Sequence, residues 1–174
     1  MNNGLINAFK FAREKHSGQI RKFSKKPYIS HLVRTYNIVK HYTQDEDMLV
    51  AALLHDVVED TEVEISEVFE LFGNEVAVIV DQLTLVVVDN KKVELKKKVE
   101  SMSSKSKIVK LADRTANVIG LFNPKVHRKF INEYINETDY VFGGVVIHDD
   151  FERIQTMLWK KLFKIVNLLK IKFN

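Results

Sequence analysis

The sequence predicts an all-α fold, a helical bundle that forms one domain. Glycine and proline are scarce, at 6 and 2 of 174 residues, which favours long helices over turn-rich sheets. Apolar residues recur at helical spacing along most of the chain. The length suits one domain with a single sizeable core, so we assign residues 1–174 to one domain.

The first third of the chain predicts three helices. The first covers about 5–15, and a polar, basic loop follows at 16–26. The second runs from about 28 to 41. Thr43-Gln44-Asp45-Glu46 has the pattern of a capping box, which predicts that a third helix starts there and continues to about 59.

The rest of the chain predicts further helices, with breaks where the turn-forming residues stand. Gly73 ends one helix, Asn74 is expected to cap the next, and Asn123-Pro124 stops a later one. The β-branched segment 85–90 is expected to be a short strand or an extended loop. The predicted helices cover about 66–72, 75–83, 91–100, 104–121, 125–140 and 149–172.

Composition restricts the kinds of site and partner. There is no cysteine, which excludes disulfides, thiolate zinc sites and cysteine nucleophiles, so a metal would be held by His, Asp or Glu. A net charge of +4 and a pI near 9.1 suit an anionic ligand. The lysines are spread out, which argues against nucleic acid. We find neither a signal peptide nor an apolar run long enough for a bilayer, and expect a cytoplasmic protein without a membrane partner.

The pair His55-Asp56 lies inside the apolar stretch 51–58. Burying unpaired ionisable groups there would cost several kcal/mol, and a divalent metal would remove that cost. Glu59 follows at i+4 from His55, and Asp60 comes next, so one helical turn gathers an imidazole and carboxylates. The alternative is a buried core histidine beside a solvated acidic helix end.

Two further residues are candidate metal ligands. His31 lies early in the second predicted helix, and Asp113 lies in the apolar run 108–113. Asn117 is four residues after Asp113, so both can face one cavity. The alternatives are a surface or capping role for His31 and an ion pair of Asp113 with Lys110 or Arg114.

The basic loop before His31 offers a binding surface for an anion. Arg21 has a planar guanidinium that can stack on a base or bind a phosphate through two donors. Charge alone equally fits a solvated basic loop.

Taken together, these segments resemble the hydrolase domain of RelA/SpoT-type proteins, which belong to the HD-domain metal phosphohydrolases. The resemblance covers about residues 8–122. The chain is similar to the small stand-alone alarmone hydrolases, including the metazoan type. It is carried by His16-x-Gly18-Gln19-x-Arg21-Lys22, Pro27-Tyr28-Ile29-x-His31, Ala51-Ala52-Leu53-Leu54-His55-Asp56-x-x-Glu59-Asp60-Thr61, Phe72-Gly73 and Lys110-Leu111-Ala112-Asp113-Arg114-x-x-Asn117.

The resemblance implies roles for these residues. Glu59 and Asp60 match the acidic pair that activates water, Arg21 and Lys22 match the loop that packs on the guanine, and Asn117 matches a contact near the sugar. The implied reaction removes pyrophosphate from the 3′ position of guanosine tetra- or pentaphosphate, leaving GDP or GTP. The resemblance also implies a divalent metal ion held by His31, His55, Asp56 and Asp113. The metal is usually Mn²⁺ in this family, and Fe or another divalent metal is the alternative.

Several alternatives remain open. Phe23-Ser24-Lys25-Lys26 stands where the family often has a glycine, and Val118-Ile119-Gly120 replaces a more usual Arg- or Thr-containing stretch. The first departure bears on the choice of base, and the second on a phosphate or ribose contact. The alternative substrates are an adenine alarmone and, since the resemblance includes the metazoan type, the 2′-phosphate of NADPH. A domain that binds nucleotide without catalysis is a further alternative. The last helix is expected to close the core rather than bind a membrane or a partner helix, and a homo-oligomer is left open. Candidate pyrophosphate contacts are Lys22, Lys25, Lys97, Lys98, Arg128 and Lys129.

Overall fold

The computed structural model describes residues 3–85, 91–144 and 151–173. These residues form ten helices and no strand, which confirms the all-α prediction. The segment expected to be extended falls mostly on residues 86–90, outside the described residues. The helices are α1 (Asn3–Lys15), α2 (Ile29–Tyr42), α3 (Glu46–Leu54), α4 (Val57–Asp60), α5 (Ile65–Phe72), α6 (Asn74–Leu83), α7 (Lys91–Ser101), α8 (Ser104–Gly120), α9 (Arg128–Phe142) and α10 (Glu152–Phe173).

Helix α8 lies at the centre of the bundle and packs against α2, α3, α6, α9 and α10. Ser103 caps its start, because the Ser103 hydroxyl accepts from the Ser106 backbone N–H at 3.3 Å. Ile108, Leu111 and Ala112 are fully buried. This packing places Asp113 in the interior, between α2 and the end of α3.

The third predicted helix is not continuous, which corrects the sequence prediction. Helix α3 ends at Leu54, and α4 begins at Val57 after a break at His55 and Asp56. Asp56 has φ −105° and ψ 0°, away from ideal helical values. A continuous helix would point the two neighbouring side chains about 100° apart. The break instead lets both turn toward the same point.

The predicted capping box is wrong as well. The N-cap of α3 is Asp45, whose Oδ1 accepts from the Met48 N–H at 3.0 Å. The hydroxyl of Thr43 accepts from the Asp45 N–H at 3.1 Å. The carboxylate of Asp45, and not the hydroxyl of Thr43, therefore caps the helix, which starts two residues later than the pattern predicts.

Two other predicted helix starts are corrected. Helix α9 begins at Arg128 instead of about 125, because the Asn123 side chain accepts from the Lys125 N–H at 2.9 Å and holds a turn. Asn74 is the first residue of α6 and not its cap. The N-cap is Gly73, whose φ of 86° suits glycine and which has no side chain to bond.

Helix α10 packs along α8 with an apolar face of Leu158, Leu162, Val166 and Leu169, all fully buried. This packing supports the expectation that the last helix closes the core. Across the described ranges, none of the helices is both long enough and apolar enough to cross a bilayer.

Candidate active site

Four ionisable side chains from three parts of the bundle meet in the interior. His31 comes from α2, His55 and Asp56 from the break between α3 and α4, and Asp113 from α8. The two Nε2 atoms of the histidines lie 3.2 Å apart. Asp56 Oδ2 lies 3.2 Å from His55 Nε2 and 3.5 Å from His31 Nε2. Asp113 Oδ1 lies 3.2 Å from His31 Nε2 and 3.6 Å from His55 Nε2.

The backbone fixes which nitrogen of His55 faces this cluster. His55 Nδ1 lies 2.9 Å from the Ala52 carbonyl oxygen, to which it donates. The neutral ring therefore carries its lone pair on Nε2, directed at the other three side chains. Histidines that ligate metals usually have such a backbone or carboxylate acceptor on the second nitrogen.

The charges of the cluster favour a cation. Burial would lower the pKa of His55, but the carboxylates of Asp56 and Asp113 raise it to about 10. Burial would raise the pKa of Asp56, but His55 and His31 hold it well below its usual range. The site thus holds ionised carboxylates that demand positive charge close by.

The donor set fits a divalent metal ion. Donor atoms of His31, His55 and Asp56 all lie within 4.8 Å of one another, and Asp113 Oδ1 is close to both imidazoles. Two imidazoles and two carboxylates, without sulfur, suit Mn, Fe or Zn rather than an all-oxygen Mg or Ca site. A cation between them would replace the positive charge that the raised pKa of His55 otherwise places on that imidazole.

Asp113 also has partners outside the cluster. Lys110 Nζ lies 3.4 Å from Asp113 Oδ2, so one of the two ion pairs considered as alternatives is present. It uses the oxygen that does not face the histidines, and thus does not exclude a ligand role. Arg114 turns away instead, and its Nη2 donates to Glu137 Oε1 at 2.8 Å on α9.

The acidic pair Glu59 and Asp60 lies on α4, at the exposed edge of the site. Glu59 Oε2 accepts from the Leu85 backbone N–H at 3.0 Å, which fixes the direction of that carboxylate. Asp60 Oδ2 lies 2.7 Å from the hydroxyl of Tyr28. The same hydroxyl lies 2.8 Å from Asp56 Oδ2 and so connects the acidic pair to the cluster.

A cavity of about 540 Å³ opens beside His31. Arg21, Lys22 and Asn117 all line it. Arg21 Nη2 donates to Asn117 Oδ1 at 2.6 Å, and Asn117 Nδ2 donates to Asp113 Oδ1 at 2.7 Å. A continuous chain of hydrogen bonds therefore runs from the basic loop to the cluster.

Sequence reasoning assigned no binding role to several residues that line the cavity, among them Lys26, Arg34, Phe130 and Tyr134. Arg34 could have been found, since it follows His31 by three residues and lies on the same side of α2. Phe130 and Tyr134 are four apart on α9, which was assigned only as a helix. The candidate pyrophosphate contacts other than Lys22 do not line this cavity. Lys97 pairs with Glu94 at 3.0 Å, and Lys98 donates to the carbonyls of Asp81 and Thr84.

Comparison with known proteins places this architecture in a family. The model of the HD domain family matches residues 8–142, which includes all of the residues above. The chain belongs to the HD-domain family. Residues 143–174, with α10, lie beyond the matched range.

Two relatives of this HD-domain protein have names that state (p)ppGpp hydrolysis. It is 38% identical over 121 residues to the guanosine-3′,5′-bis(diphosphate) 3′-pyrophosphohydrolase MESH1 of Xenopus tropicalis, with 66% of this chain and 67% of the relative covered. It is 34% identical over 142 residues to the bifunctional (p)ppGpp synthase/hydrolase SpoT of Escherichia coli K12, with 74% of this chain but 20% of the relative covered. The chain thus spans about a fifth of the length of such bifunctional relatives.

A solved structure of a metazoan orthologue of SpoT, reported to hydrolyse ppGpp, has the same fold. Its TM-score is 0.85 at 27% identity, with 97% of this chain and 96% of the other covered. The resemblance to RelA/SpoT-type hydrolase domains that the sequence indicated is confirmed.

Proposed function

We propose that this HD-domain protein is a guanosine-3′,5′-bis(diphosphate) 3′-pyrophosphohydrolase. It would cleave (p)ppGpp with water into pyrophosphate and GDP or GTP. The relatives named above act on this substrate, and one of them matches most of the length of both chains. The observation that supports the proposal most is the four-residue cluster next to a cationic cavity of nucleotide size.

We propose His31, His55, Asp56 and Asp113 as ligands of one divalent metal ion, with Mn²⁺ as the first candidate. When bound, such an ion supplies an activated water and neutralises charge at the scissile phosphate. The donor atoms are compatible with Mn and Fe alike, and the family relation favours the former.

We propose that Glu59 and Asp60 handle the protons of the reaction. Both residues lie on α4, three and four positions after Asp56, and both are exposed, so solvent can reach their carboxylates. The Leu85 N–H holds one oxygen of Glu59, so the carboxylate is oriented before substrate binds. Glu59 would act as general base toward the attacking water, a role typically worth about 10²–10⁴ in rate.

The cavity supports a role in holding the nucleotide. Arg21 lies over the Tyr28 ring with its guanidinium carbon 5.5 Å from the ring centre, which keeps the guanidinium plane beside the cavity. Lys22 Nζ lies 5.7 Å from the ring centre of Phe130 on α9, and both residues line the cavity. We propose that Arg21 and Lys22 pack on the base, Asn117 contacts the sugar, and Lys26 and Arg34 offset phosphate charge.

We further propose that residues 1–174 act as one domain, because α10 packs on α8 and α9 although it lies beyond the matched range. The cytoplasmic location that the sequence suggests stays a prediction.

The proposal is tested by product analysis on the purified protein loaded with Mn²⁺. We expect ppGpp to give GDP and pyrophosphate. Release of orthophosphate from NADPH, with ppGpp left intact, would contradict the proposal and favour the alternative substrate. Tight ppGpp binding without any product would favour an inactive nucleotide-binding module. Turnover of an adenine alarmone at higher kcat/KM than ppGpp would move the assignment to that purine.

A further inference from the structure

We infer that Tyr28 is a positioning residue whose hydroxyl aligns the carboxylates of Asp56 and Asp60, and that His16 and Gln19 hold it in place. This inference rests on the proposed function, which gives Asp56 a ligand role and Asp60 a proton-handling role. His16 and Gln19 belong to the motif His16-x-Gly18-Gln19-x-Arg21-Lys22. The proposed function gives a role only to its Arg21 and Lys22.

The hydroxyl of Tyr28 lies between two acceptors. It is 2.8 Å from Asp56 Oδ2 and 2.7 Å from Asp60 Oδ2. Asp56 Oδ2 is the oxygen that also lies 3.2 Å from His55 Nε2, so the contact is made with the atom that faces the cluster. A phenol has one proton and donates to one carboxylate at a time. Its position nevertheless sets the direction of both side chains.

The Tyr28 ring is held by a stack on His16. The ring centres are 4.9 Å apart and the planes differ by 16°. His16 is only 3% exposed, and its Nε2 has no hydrogen-bond partner in the described structure. A buried imidazole with an unpaired nitrogen is unfavourable by itself, which indicates that the ring is kept there for its flat face.

Gln19 ties the same loop to Asp60 by a second route. Its Oε1 lies 2.7 Å from His16 Nδ1, and its Nε2 donates to the Asp60 backbone carbonyl at 2.8 Å. The Gln19 carbonyl accepts from the Tyr28 N–H at 3.0 Å, which closes the loop. Asp60 is therefore fixed at its main chain by Gln19 and at its side chain by Tyr28.

This double attachment matters because α4 is a single turn of four residues, which has little stability of its own. The carboxylates at its exposed edge need outside support to keep a productive direction. The loop 16–28 would supply that support from one side, and the Leu85 N–H supplies it to Glu59 from the other.

The test compares Tyr28→Phe with the wild type and with Tyr36→Phe, a matched change on α2 away from the cavity. Phenylalanine keeps the ring on His16 and removes only the hydroxyl. We expect Tyr28→Phe to lower kcat for ppGpp and the Mn²⁺ affinity measured by calorimetry, each by about 10–100-fold, as when other partners of metal ligands are removed. We expect KM and the unfolding midpoint to stay near wild type.

A second variant, Gln19→Leu, separates the two carboxylates. It releases the Asp60 main chain and the His16 side chain but keeps the Tyr28 hydroxyl, so kcat should fall while Mn²⁺ affinity falls less than in Tyr28→Phe. Wild-type kcat and Mn²⁺ affinity in Tyr28→Phe would overturn the inference, as would an equal loss in Tyr36→Phe. Wild-type kcat in Gln19→Leu would overturn the role of the loop.

The Mn²⁺ titration also separates this inference from the proposed function. A wild type that binds Mn²⁺ but leaves ppGpp intact would refute the proposed function alone. Weaker Mn²⁺ binding by Tyr28→Phe in that case would still support the positioning role.

Discussion

At the scale of single residues, the site is built from groups that would be unfavourable apart. His55 is 1% exposed and Asp113 is 7% exposed, so neither can rely on water to solvate a charge. Each is stabilised by the others and by backbone or side-chain partners such as Ala52, Lys110 and Asn117. Removal of one of these side chains should therefore lower the free energy of unfolding by more than its own contact contributes, because it leaves the remaining buried charges unpaired.

The proposed roles of Asp56 and Glu59 predict that substitution of Asp56 removes the bound metal and that substitution of Glu59 does not. Asp56→Ala removes an oxygen that faces both histidines, and we expect it to abolish Mn²⁺ binding and activity together. Glu59→Ala leaves all four proposed ligands in place, so it should retain Mn²⁺ and lose about 10²–10⁴ in kcat. Metal analysis and pyrophosphate release measured on the same samples check both. Activity in a metal-free Asp56→Ala protein would contradict the mechanism.

The place of Arg21 predicts a kinetic effect of a different kind. Its guanidinium donates to Asn117 and lies over the Tyr28 ring at the cavity wall. Arg21→Ala should raise KM for ppGpp about tenfold or more and change kcat much less, because binding is lost in ground and transition states alike. Lys25→Ala, on the same loop but outside the cavity lining, is the control. An unchanged KM in Arg21→Ala would count against its role in binding the base.

The four proposed ligand residues could be picked out from the sequence because buried charge in an apolar stretch is unusual, and because the resemblance aligned them with a known motif order. The role of Tyr28 could not be predicted in the same way. A tyrosine near the start of a helix gives no sign that its hydroxyl will meet two carboxylates from another helix. Such contacts depend on the path of the loop, which local sequence does not specify.

At the scale of helices, the break between α3 and α4 is the feature that shapes the site. The sequence around it is apolar and uninterrupted by glycine or proline, so periodicity predicted one helix through to 59. The break is stabilised by tertiary contacts instead: the Asp56 carboxylate turns to the imidazoles and to Tyr28. Propensity is a weak guide where such contacts compete with it.

The packing of α10 predicts which of its residues stabilise the fold. Leu162 is fully buried against the bundle, so Leu162→Ala should lower the free energy of unfolding by about 2–5 kcal/mol. Ile171 lies on the same helix but is 77% exposed, so Ile171→Ala should change the free energy of unfolding by less than about 0.5 kcal/mol. Urea unfolding followed by circular dichroism measures both. Equal losses in the two variants would contradict the orientation of α10.

At the scale of the whole molecule, the sequence indicated the class of fold and most helix positions because apolar spacing and turn-forming residues are local signals. The cavity is different, because its lining comes from the basic loop, α2, α8 and α9. Arg34 and Tyr134 stand far apart in sequence and come to line the same cavity only after the helices pack. Their place in the cavity thus follows from how the helices pack, and could not be predicted from the local sequence around either residue.

The buried cluster also links metal binding to the stability of the entire fold. A cation that binds the folded chain alone stabilises it by about 2.7 kcal/mol at a hundred times its Kd. Each kcal/mol corresponds to about 2–4 °C for a chain of this size. We therefore expect a chelator to lower the unfolding midpoint by about 5–10 °C, as measured by calorimetry. The Asp56→Ala variant should show no such shift, and an equal shift there would place the cation elsewhere.

The central claim is that one metal ion held by His31, His55, Asp56 and Asp113 carries the removal of the 3′ pyrophosphate. Metal content measured together with ppGpp turnover on one preparation, before and after chelation, tests it most directly. The account predicts close to one bound divalent ion per chain, with GDP and pyrophosphate formed in proportion to metal and restored by added Mn²⁺. Full turnover by a metal-free preparation would contradict it.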